Sequence, residues 1–567
     1  MTMTSIAPFL IFFVAAALAA ITRGHLRSVI MLATPVVGAI NLWYLDPATT
    51  MTFTLVGREV LLLNVDRLSL LFGWLFHTAA FIAVVYSLHM NDRMQHVAAL
   101  AYAGCALGAV FAGDFLGLFL FWEGLALTSA FLILARRTRE AERATVRYLV
   151  LQVLSGILLL AGVLALTADG RPITLSPLEL EGLAAWLIFL ALGIKCGFPL
   201  LHTWITDAYP AATETGTVLM SAFTTKVAVY ALARLFPGTE ELIWIGGAMA
   251  MFPIFYAVIE NDLRRVLAYS MINQLGFMVV GIGIGTEMAI NGSISHAFND
   301  VIFKGLLFMS MGAVLYRTGR MNGSDLGGLY RTMPKTTGFC IVGAASISAF
   351  PLFSGFVSKS MIMVAALDQG YDWIWLTLLF ASAGVFHHAG IKIPFFAFFA
   401  HDSGLRPKEA PTPMLIAMGI AAFLCIFNGV YPWLLYDMLP YPVDYAPYTW
   451  EHVLTQCQLL FFSALAFALL KQFKLYPPEL PSVNLDAEWT YRWLLPRVAR
   501  RGLAVLSGVV APIRDTSVSV MAGITGLAMR WHGPSGIFAR DPVISMASLA
   551  IVVVFAFVLV VHLIRGA

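Results

Sequence analysis

The sequence predicts an all-α polytopic membrane protein with about 14–16 transmembrane helices. Of its 567 residues, 59% are hydrophobic and only 12% charged, whereas soluble chains carry roughly 25% charged residues. Mean hydropathy is +0.82. Apolar runs of about 17–25 residues recur along the whole chain, the length that crosses bilayer hydrocarbon as a helix. The net charge of +3 is small and dispersed, which argues against a nucleic-acid partner. The five cysteines (Cys105, Cys196, Cys340, Cys425, Cys457) lie far apart without CxxC or Cys/His spacing. No iron–sulfur cluster, zinc site or other cofactor is therefore expected.

Sixteen runs qualify as spans, near 5–22, 26–44, 66–89, 94–112, 114–135, 145–167, 182–199, 215–236, 243–260, 264–285, 290–316, 336–366, 373–400, 412–436, 452–471 and 542–564. The first, Ser5–Ile21, lacks a charged leader and a convincing cleavage site, so it reads as a retained span and not a signal peptide. The basic loops are Arg23–Arg27, Arg136–Arg147, Arg264–Arg265, Arg317–Lys335, Arg406–Lys408 and Lys471–Lys474. Threading sixteen spans puts all of them on one side, the cytoplasmic one by the positive-inside rule, with both termini outside.

Between spans, Thr52–Val65 alternates apolar and polar residues around Gly57 and predicts an extracytoplasmic hairpin. Five regions result: 1–92 with the hairpin, a core at 93–435, an extra span at 436–475, a less apolar segment at 476–541, and a last span at 542–567. Within 476–541, Ala487–Val505 mixes tryptophan, tyrosine and leucine with four arginines. That pattern predicts a helix along the cytoplasmic interface, broken at Pro496.

Charges inside the spans carry the functional argument. Lys195 sits in an apolar run closed by Pro199, so the helix should break just beyond the lysine. A charge at mid-membrane costs about 2.5–3.5 kcal/mol on insertion scales and marks a functional site by default. Broken helices at that depth are found where they line a cavity. Glu123, midway along its own span, is a candidate partner for Lys195, with a structural ion pair as the plainer alternative. Lys226 is again mid-span. His296, Asp300 and Lys304 follow at i, i+4 and i+8 on one helical face. One histidine and one carboxylate beside a lysine make poor metal ligation, so proton exchange is the reading. Gly390-Ile391-Lys392 before Pro394 echoes Gly193-Ile194-Lys195 before Pro199, which predicts a second broken helix at Lys392. Lys359, after a Pro/Gly-rich interruption, and His202 are possible further members. Of the neighbours His387 and His388, at most one can point inward. Seven residues thus form the expected proton path: Glu123, Lys195, Lys226, His296, Asp300, Lys304 and Lys392.

At FWEGLALTS, GIKCGFPLLHTWITDAYPAA, TTKVAVYAL, DLRRVLAYSMINQLGFM, HAFND…FKGLLF and DLGGLYRTMP…FPLFSGFVSK, the sequence resembles the antiporter-like subunits of respiratory complex I, membrane-bound hydrogenases and Mrp-type cation/proton antiporters. The resemblance covers roughly residues 60–435 and looks most like the D-type subunit of Mrp antiporters. It implies two inverted five-helix repeats, each with a broken helix, around a hydrated polar axis. It also implies that Glu123 and Lys195 are the family's glutamate–lysine pair, Lys226 its connecting lysine, Lys304 its central lysine and Lys392 its distal lysine. His296 keeps a family histidine, whereas Asp300 replaces the usual second one. A carboxylate there should act on Lys304 or offer an oxygen to a cation. The expected function is the proton-translocating subunit of a multisubunit Mrp-type Na+/K+:proton antiporter in a bacterial inner membrane, with other membrane subunits as partners. The alternatives are a proton-pumping subunit of a complex I-like or hydrogenase-type redox complex, and an energy-coupling subunit for inorganic-carbon uptake.

Overall fold

A computed structural model describes residues 6–47, 49–55, 57–480, 484–533, 536 and 544–565. The chain forms two compact units, residues 1–486 and 487–567. Among the described residues, thirteen helices are long and apolar enough to cross a membrane.

The first unit opens with α1 (Pro8–Ile21) and α2 (Gly24–Trp43), followed by the strands β1 (Thr50–Leu55) and β2 (Arg58–Asn64) and by α3 (Arg67–Ser87). The predicted hairpin is present. Thr54 faces Glu59 and Leu55 faces Arg58 across a turn in which Gly57 takes the left-handed conformation, φ 75°. The α1 helix packs into the bundle, with the Phe9 ring 4.8 Å from that of Phe121.

Two groups of five spans follow. The first comprises α4 (Arg93–Phe111), α5 (Phe115–Leu134), α6 (Arg139–Ala168), a span broken into α7 (Gly182–Cys196) and α8 (Thr203–Ala211), and one interrupted between α9 (Glu214–Ala222) and α10 (Thr224–Leu235). The second comprises α11 (Glu240–Ile259), α12 (Leu263–Ile284), α13 (Glu287–Thr318), a span broken into α14 (Pro334–Ile347) and α15 (Ser354–Asp368), and α16 (Asp372–Val385). The α16 helix continues through wide π-type turns at Phe386–Lys392 and Phe395–Phe399. Three more helices close the unit: α17 (Thr412–Val430), the short α18 (Trp433–Tyr436) and α19 (Trp450–Gln472).

Helix starts follow local chemistry. Asp66, Asp92, Asp114, Thr138, Asp262 and Thr286 precede α3, α4, α5, α6, α12 and α13, and each side chain accepts a backbone N–H of the first turn.

The repeat is visible in bonding. Asp114, capping α5, bridges to Thr174 beyond α6, and Asp262, capping α12, bridges to Asn322 beyond α13, so both bridges join residues 60 apart. Phe115 N donates to Ile173 O at 2.8 Å and Leu263 N to Met321 O at 3.0 Å in matching positions. The first bridge lies at the end of the bundle that holds the hairpin, where Leu61 N donates to Asp114 Oδ2 at 2.5 Å. The second lies at the opposite end, beside Arg265. The repeats are therefore inverted.

Charge is segregated between those two ends. At the basic end, Arg27 reaches Asn91, Arg137 pairs with Asp92, Arg264 binds carbonyls of Pro210 and Ala212, and Arg317 binds Glu409 O. The hairpin end holds Arg234 paired with Asp66 and Arg67 bound to Asp437 O.

One expectation about the breaks is corrected. The first break falls where predicted: Gly197 and Leu200 take left-handed φ of 81° and 71°, and α8 restarts at Thr203. The second is not at Lys392, where the backbone stays helical through the π-type turns despite Pro394. It lies between α14 and α15, where Ala349 and Leu352 take φ of 56° and 74°. The two breaks share a sequence, Gly197-Phe-Pro-Leu200 and Ala349-Phe-Pro-Leu352, with left-handed residues at the first and fourth positions. Pro394 sits where the widened turns already omit a regular hydrogen bond, so its missing donor breaks nothing.

In the second unit, a wide turn at Thr490–Leu494 leads into α20 (Leu495–His532), and α21 (Ile544–Arg565) follows. Pro496 does not break a helix there. It occupies the first turn of α20, where a missing N–H costs nothing. At 1.5 Å per residue, the 38 residues of α20 extend about 57 Å, well beyond the ~30 Å of bilayer hydrocarbon. The predicted boundary at 541–542 falls outside the described residues.

Candidate functional site

The buried charges of the first unit line up through its interior. On α5, Glu123 faces Gly156 of α6, where a Cβ would stand 1.6 Å from Glu123 Oε1. Glycine thus opens the niche that the carboxylate fills. Glu123 Oε1 is buried and accepts no hydrogen bond.

Lys195, fully buried, stands in the last turn of α7, where the partial negative charge of a helix C-terminus favours a cation. Its Nζ donates to the carbonyl of Trp122 and lies 4.4 Å from the centre of that indole. The indole is fixed in turn, donating to Ser155 Oγ at 2.9 Å, while Ser155 donates to Ala191 O at 2.7 Å. Glu123 and Lys195 are therefore neighbours through Trp122, without direct contact between ammonium and carboxylate.

The α9–α10 interruption, which the sequence did not signal, puts Lys226 in the first turn of α10. Tyr102 compensates the interrupted backbone by accepting Thr224 N–H at 3.1 Å. Lys226 Nζ meets Asp300 Oδ2 of α13 at 2.5 Å, both side chains at 0% exposure. Asp300 is thus engaged through Oδ2 by Lys226 on another span, while its buried Oδ1 has no hydrogen-bond partner. Lys304, one turn further along α13, donates to Ser270 Oγ of α12 at 2.9 Å.

His296 is held at both ring nitrogens, Nδ1 3.0 Å from Ser358 Oγ and Nε2 3.2 Å from Gln274 Oε1. Beside Ser358, Lys359 is buried and donates to Ile347 O at 3.1 Å, a carbonyl released where α14 ends. Each broken span thus carries a buried lysine against its break. In the second repeat that lysine is Lys359, which replaces Lys392 as the counterpart of Lys195.

Lys392 instead lies toward the basic end. Its Nζ donates to Val258 O at 2.7 Å and Glu260 O at 2.6 Å, at the C-terminal end of α11, and pairs with Glu479 Oε1 at 2.9 Å. His202, just past the first break, meets Asp486 Oδ2 at 3.2 Å, an oxygen that also accepts the Tyr269 hydroxyl at 2.7 Å.

The structure decides between His387 and His388, and it adds two participants, Glu479 and Asp486, that the sequence did not mark. His388 is fully buried with neither ring nitrogen hydrogen-bonded, and Lys304 and Lys392 are both near enough to act on its charge. His387 turns the other way, against Phe467 and Tyr476. The expectation that at most one of the two points inward thus resolves to His388, one turn before Lys392. Glu479 and Asp486 lie in a polar, proline-containing stretch with no periodicity to mark them. The resulting row runs from Glu123 and Lys195, through Lys226–Asp300, to Lys304 with Lys359 and His296, then to His388, Lys392 and Glu479. Cys196, adjacent to Lys195, is within electrostatic reach of Lys226. Every station can hold a proton, or sits beside a group that can. Among the described residues no group of three or more His, Cys, Asp or Glu could hold a metal ion.

Residues 112–385, which contain both breaks and most of this row, match the family profile described as "NADH:quinone oxidoreductase/Mrp antiporter, TM". That stretch of the chain is similar to the NADH:quinone oxidoreductase/Mrp antiporter membrane family. Two curated relatives show the breadth of this family. The chain is 30% identical over 420 residues to the A-type subunit of the Na(+)/H(+) antiporter of Alkalihalophilus pseudofirmus, covering 65% of this chain and 52% of the relative. It is 26% identical over 426 residues to hydrogenase-4 component B of Escherichia coli, covering 65% and 62%. The chain thus spans only about half to three fifths of the length of these members. A chain of the membrane-bound sulfane sulfur reductase, an archaeal respiratory membrane complex, has the same fold, with TM-score 0.71 and 23% identity over 97% of this chain and 99% of that one.

Proposed function

We propose that this chain is a proton-translocating subunit of a multisubunit membrane complex, with the basic end facing the cytoplasm of a bacterial cell. The observation that carries this reading is the row of buried titratable side chains crossing both inverted repeats. A membrane scaffold has no use for five buried lysines, each costly in hydrocarbon. Protonation at one station alters the charge its neighbours feel, so the row titrates as a coupled set.

The driving reaction we favour is exchange of monovalent cations for protons in an Mrp-type complex, the activity named for one relative. Redox-driven pumping is the second reading. It is favoured by the full-length fold match to a chain of a respiratory complex, including the region beyond α17. In either case, the cation route or the redox chemistry belongs to partner subunits, and this chain supplies the proton path.

Inverted vesicles containing the whole native complex, with a pH-sensitive dye, separate the readings. Dye recovery on adding sodium or potassium establishes antiport. Acidification on adding an electron donor, without a cation response, establishes the redox pump. No proton movement under either condition overturns the proposal.

A further inference from the structure

The chain between α19 and the second unit returns over the basic end and docks there. Its described residues, Tyr476–Leu480 and Asn484–Asp486, make three polar anchors. Glu479 pairs with Lys392, Asn484 Nδ2 donates to Glu260 Oε2 at 3.1 Å, and Asp486 meets His202 and Tyr269. The segment lies outside the family-matched residues 112–385.

Glu479 differs from an ordinary tether. Its side chain is 5% exposed, both carboxylate oxygens are buried, and beyond Lys392 neither has a hydrogen-bond partner. The groups that face it are Lys392 of the span continuing α16, Lys471 of α19, Glu260 of the α11–α12 loop, and Tyr476 of its own segment. The number of contacts at Lys392 Nζ is informative. The ammonium form uses three N–H bonds, toward Val258 O, Glu260 O and Glu479. A neutral amine keeps two N–H bonds for the carbonyls and turns its lone pair to a protonated Glu479. Both proton positions satisfy the same three contacts, so a proton can cross the 2.9 Å gap without any heavy atom moving.

We propose that Glu479 is the port through which Lys392, and behind it the buried row, exchanges protons with water at the basic end. The proposal rests on the proton-translocation reading above. In the inward direction, the buried Glu479 carboxylate opens to water at its exposed edge and gains a proton, the Oε1–H bond then breaks as Lys392 Nζ gains that proton, and His388 and Lys304 receive it in turn. The outward direction reverses each step. Burial pushes the Glu479 carboxyl above its ordinary value of 4.5, with the charge of Lys392 pulling the other way. The donor form is the protonated one, present below the raised value. Inward transfer should therefore fall as pH rises through a limb lying above 4.5.

The test uses the full chain in its native complex in inverted vesicles. Glu479→Gln keeps the shape and a hydrogen bond to Lys392 but carries no proton. It should slow proton movement by roughly a hundredfold and erase that limb of the pH profile, whereas Glu479→Asp retains most activity. Asn484→Ala loosens the same segment by removing its bond to Glu260, a carboxylate outside the row, and should stay within about twofold of wild type. A Glu479→Gln variant with wild-type rate and profile overturns the port. So does an Asn484→Ala variant as slow as Glu479→Gln, because the segment would then be only a tether. A second readout is independent of transport: pH-difference infrared spectra of the purified full-length chain should show a carboxylic-acid band that Glu479→Gln removes and Lys392→Ala shifts. If that band is present while wild-type vesicles move no protons, the transport reading falls and the exchanging pair stands. If the band is absent, the port falls whatever the vesicles do.

Discussion

Lys195 and Lys226 meet the same cost by different means, and the difference decides how each should respond to substitution. The Lys195 ammonium rests on a carbonyl, an indole face and a helix C-terminus, none of which becomes a buried charge when the lysine is removed. Lys195→Ala should therefore abolish proton movement while leaving the amount of chain in the membrane unchanged, as immunodetection alongside the dye assay would show. Asp300 is the counter-ion of Lys226, and Asp300→Asn leaves an uncompensated buried cation. Breaking one side of such a pair costs about 3–5 kcal/mol, so this variant should lose both assembled protein and activity. Normal assembly with an unchanged pH optimum in Asp300→Asn would mean the pair does neither job. The charged residues themselves were legible, because a lysine or carboxylate in an apolar run stands out. Their partners were not, because pairing crosses spans: Asp300 shares a helical face with Lys304 yet bonds α10. Lys392 was misplaced for a related reason. Nothing local shows that a lysine before a proline lies at the end of another helix instead of mid-span.

At the scale of elements, the breaks and niches set where charges can stand. Phe-Pro-Leu occurs at both breaks, and its left-handed first and fourth residues lift backbone carbonyls out of helical bonding. Ile347 O, freed in this way, receives Lys359. The motif is present in the sequence, but Gly-Ile-Lys before a proline also occurs at Lys392, where the backbone stays helical. The α9–α10 interruption had no sequence signal, because Tyr102, far away in the chain, supplies the missing partner. The α5–α6 contact makes the sharpest test of an element. Gly156→Ala would drive a methyl group onto Glu123 Oε1, and the carboxylate, as the flexible partner, must leave its niche. Proton movement should drop about tenfold with assembly intact, since the helices need not separate. Equal activity in Gly156→Ala would show that the position of Glu123 is not critical.

At the scale of the molecule, the described residues Tyr476–Leu480 and Asn484–Asp486 belong with the bundle, whereas the sequence grouped them with the interfacial segment that follows. Two truncations should therefore differ. A chain ending after Asp486 keeps Glu479 on Lys392 and should still move protons, with reduced retention in the complex. A chain ending after Lys474 loses the port and should not. Dye assays normalised to the chain present would show whether the two behave alike, which would remove 476–486 from the path. The inverted repeat has a consequence for how such a protein arises. Two copies of one five-helix unit sit in the membrane upside down to each other, so a single ancestral sequence had to be insertable both ways. Orientation is read from arginine and lysine in short loops. In this chain the matched turns have diverged in that respect: Asp114 is followed by Phe-Leu-Gly, and Asp262 by Leu-Arg-Arg. With five spans per copy, an odd number, the second copy enters the membrane reversed within one polypeptide, and the pair of arginines in one copy with none in the other accords with that reversal.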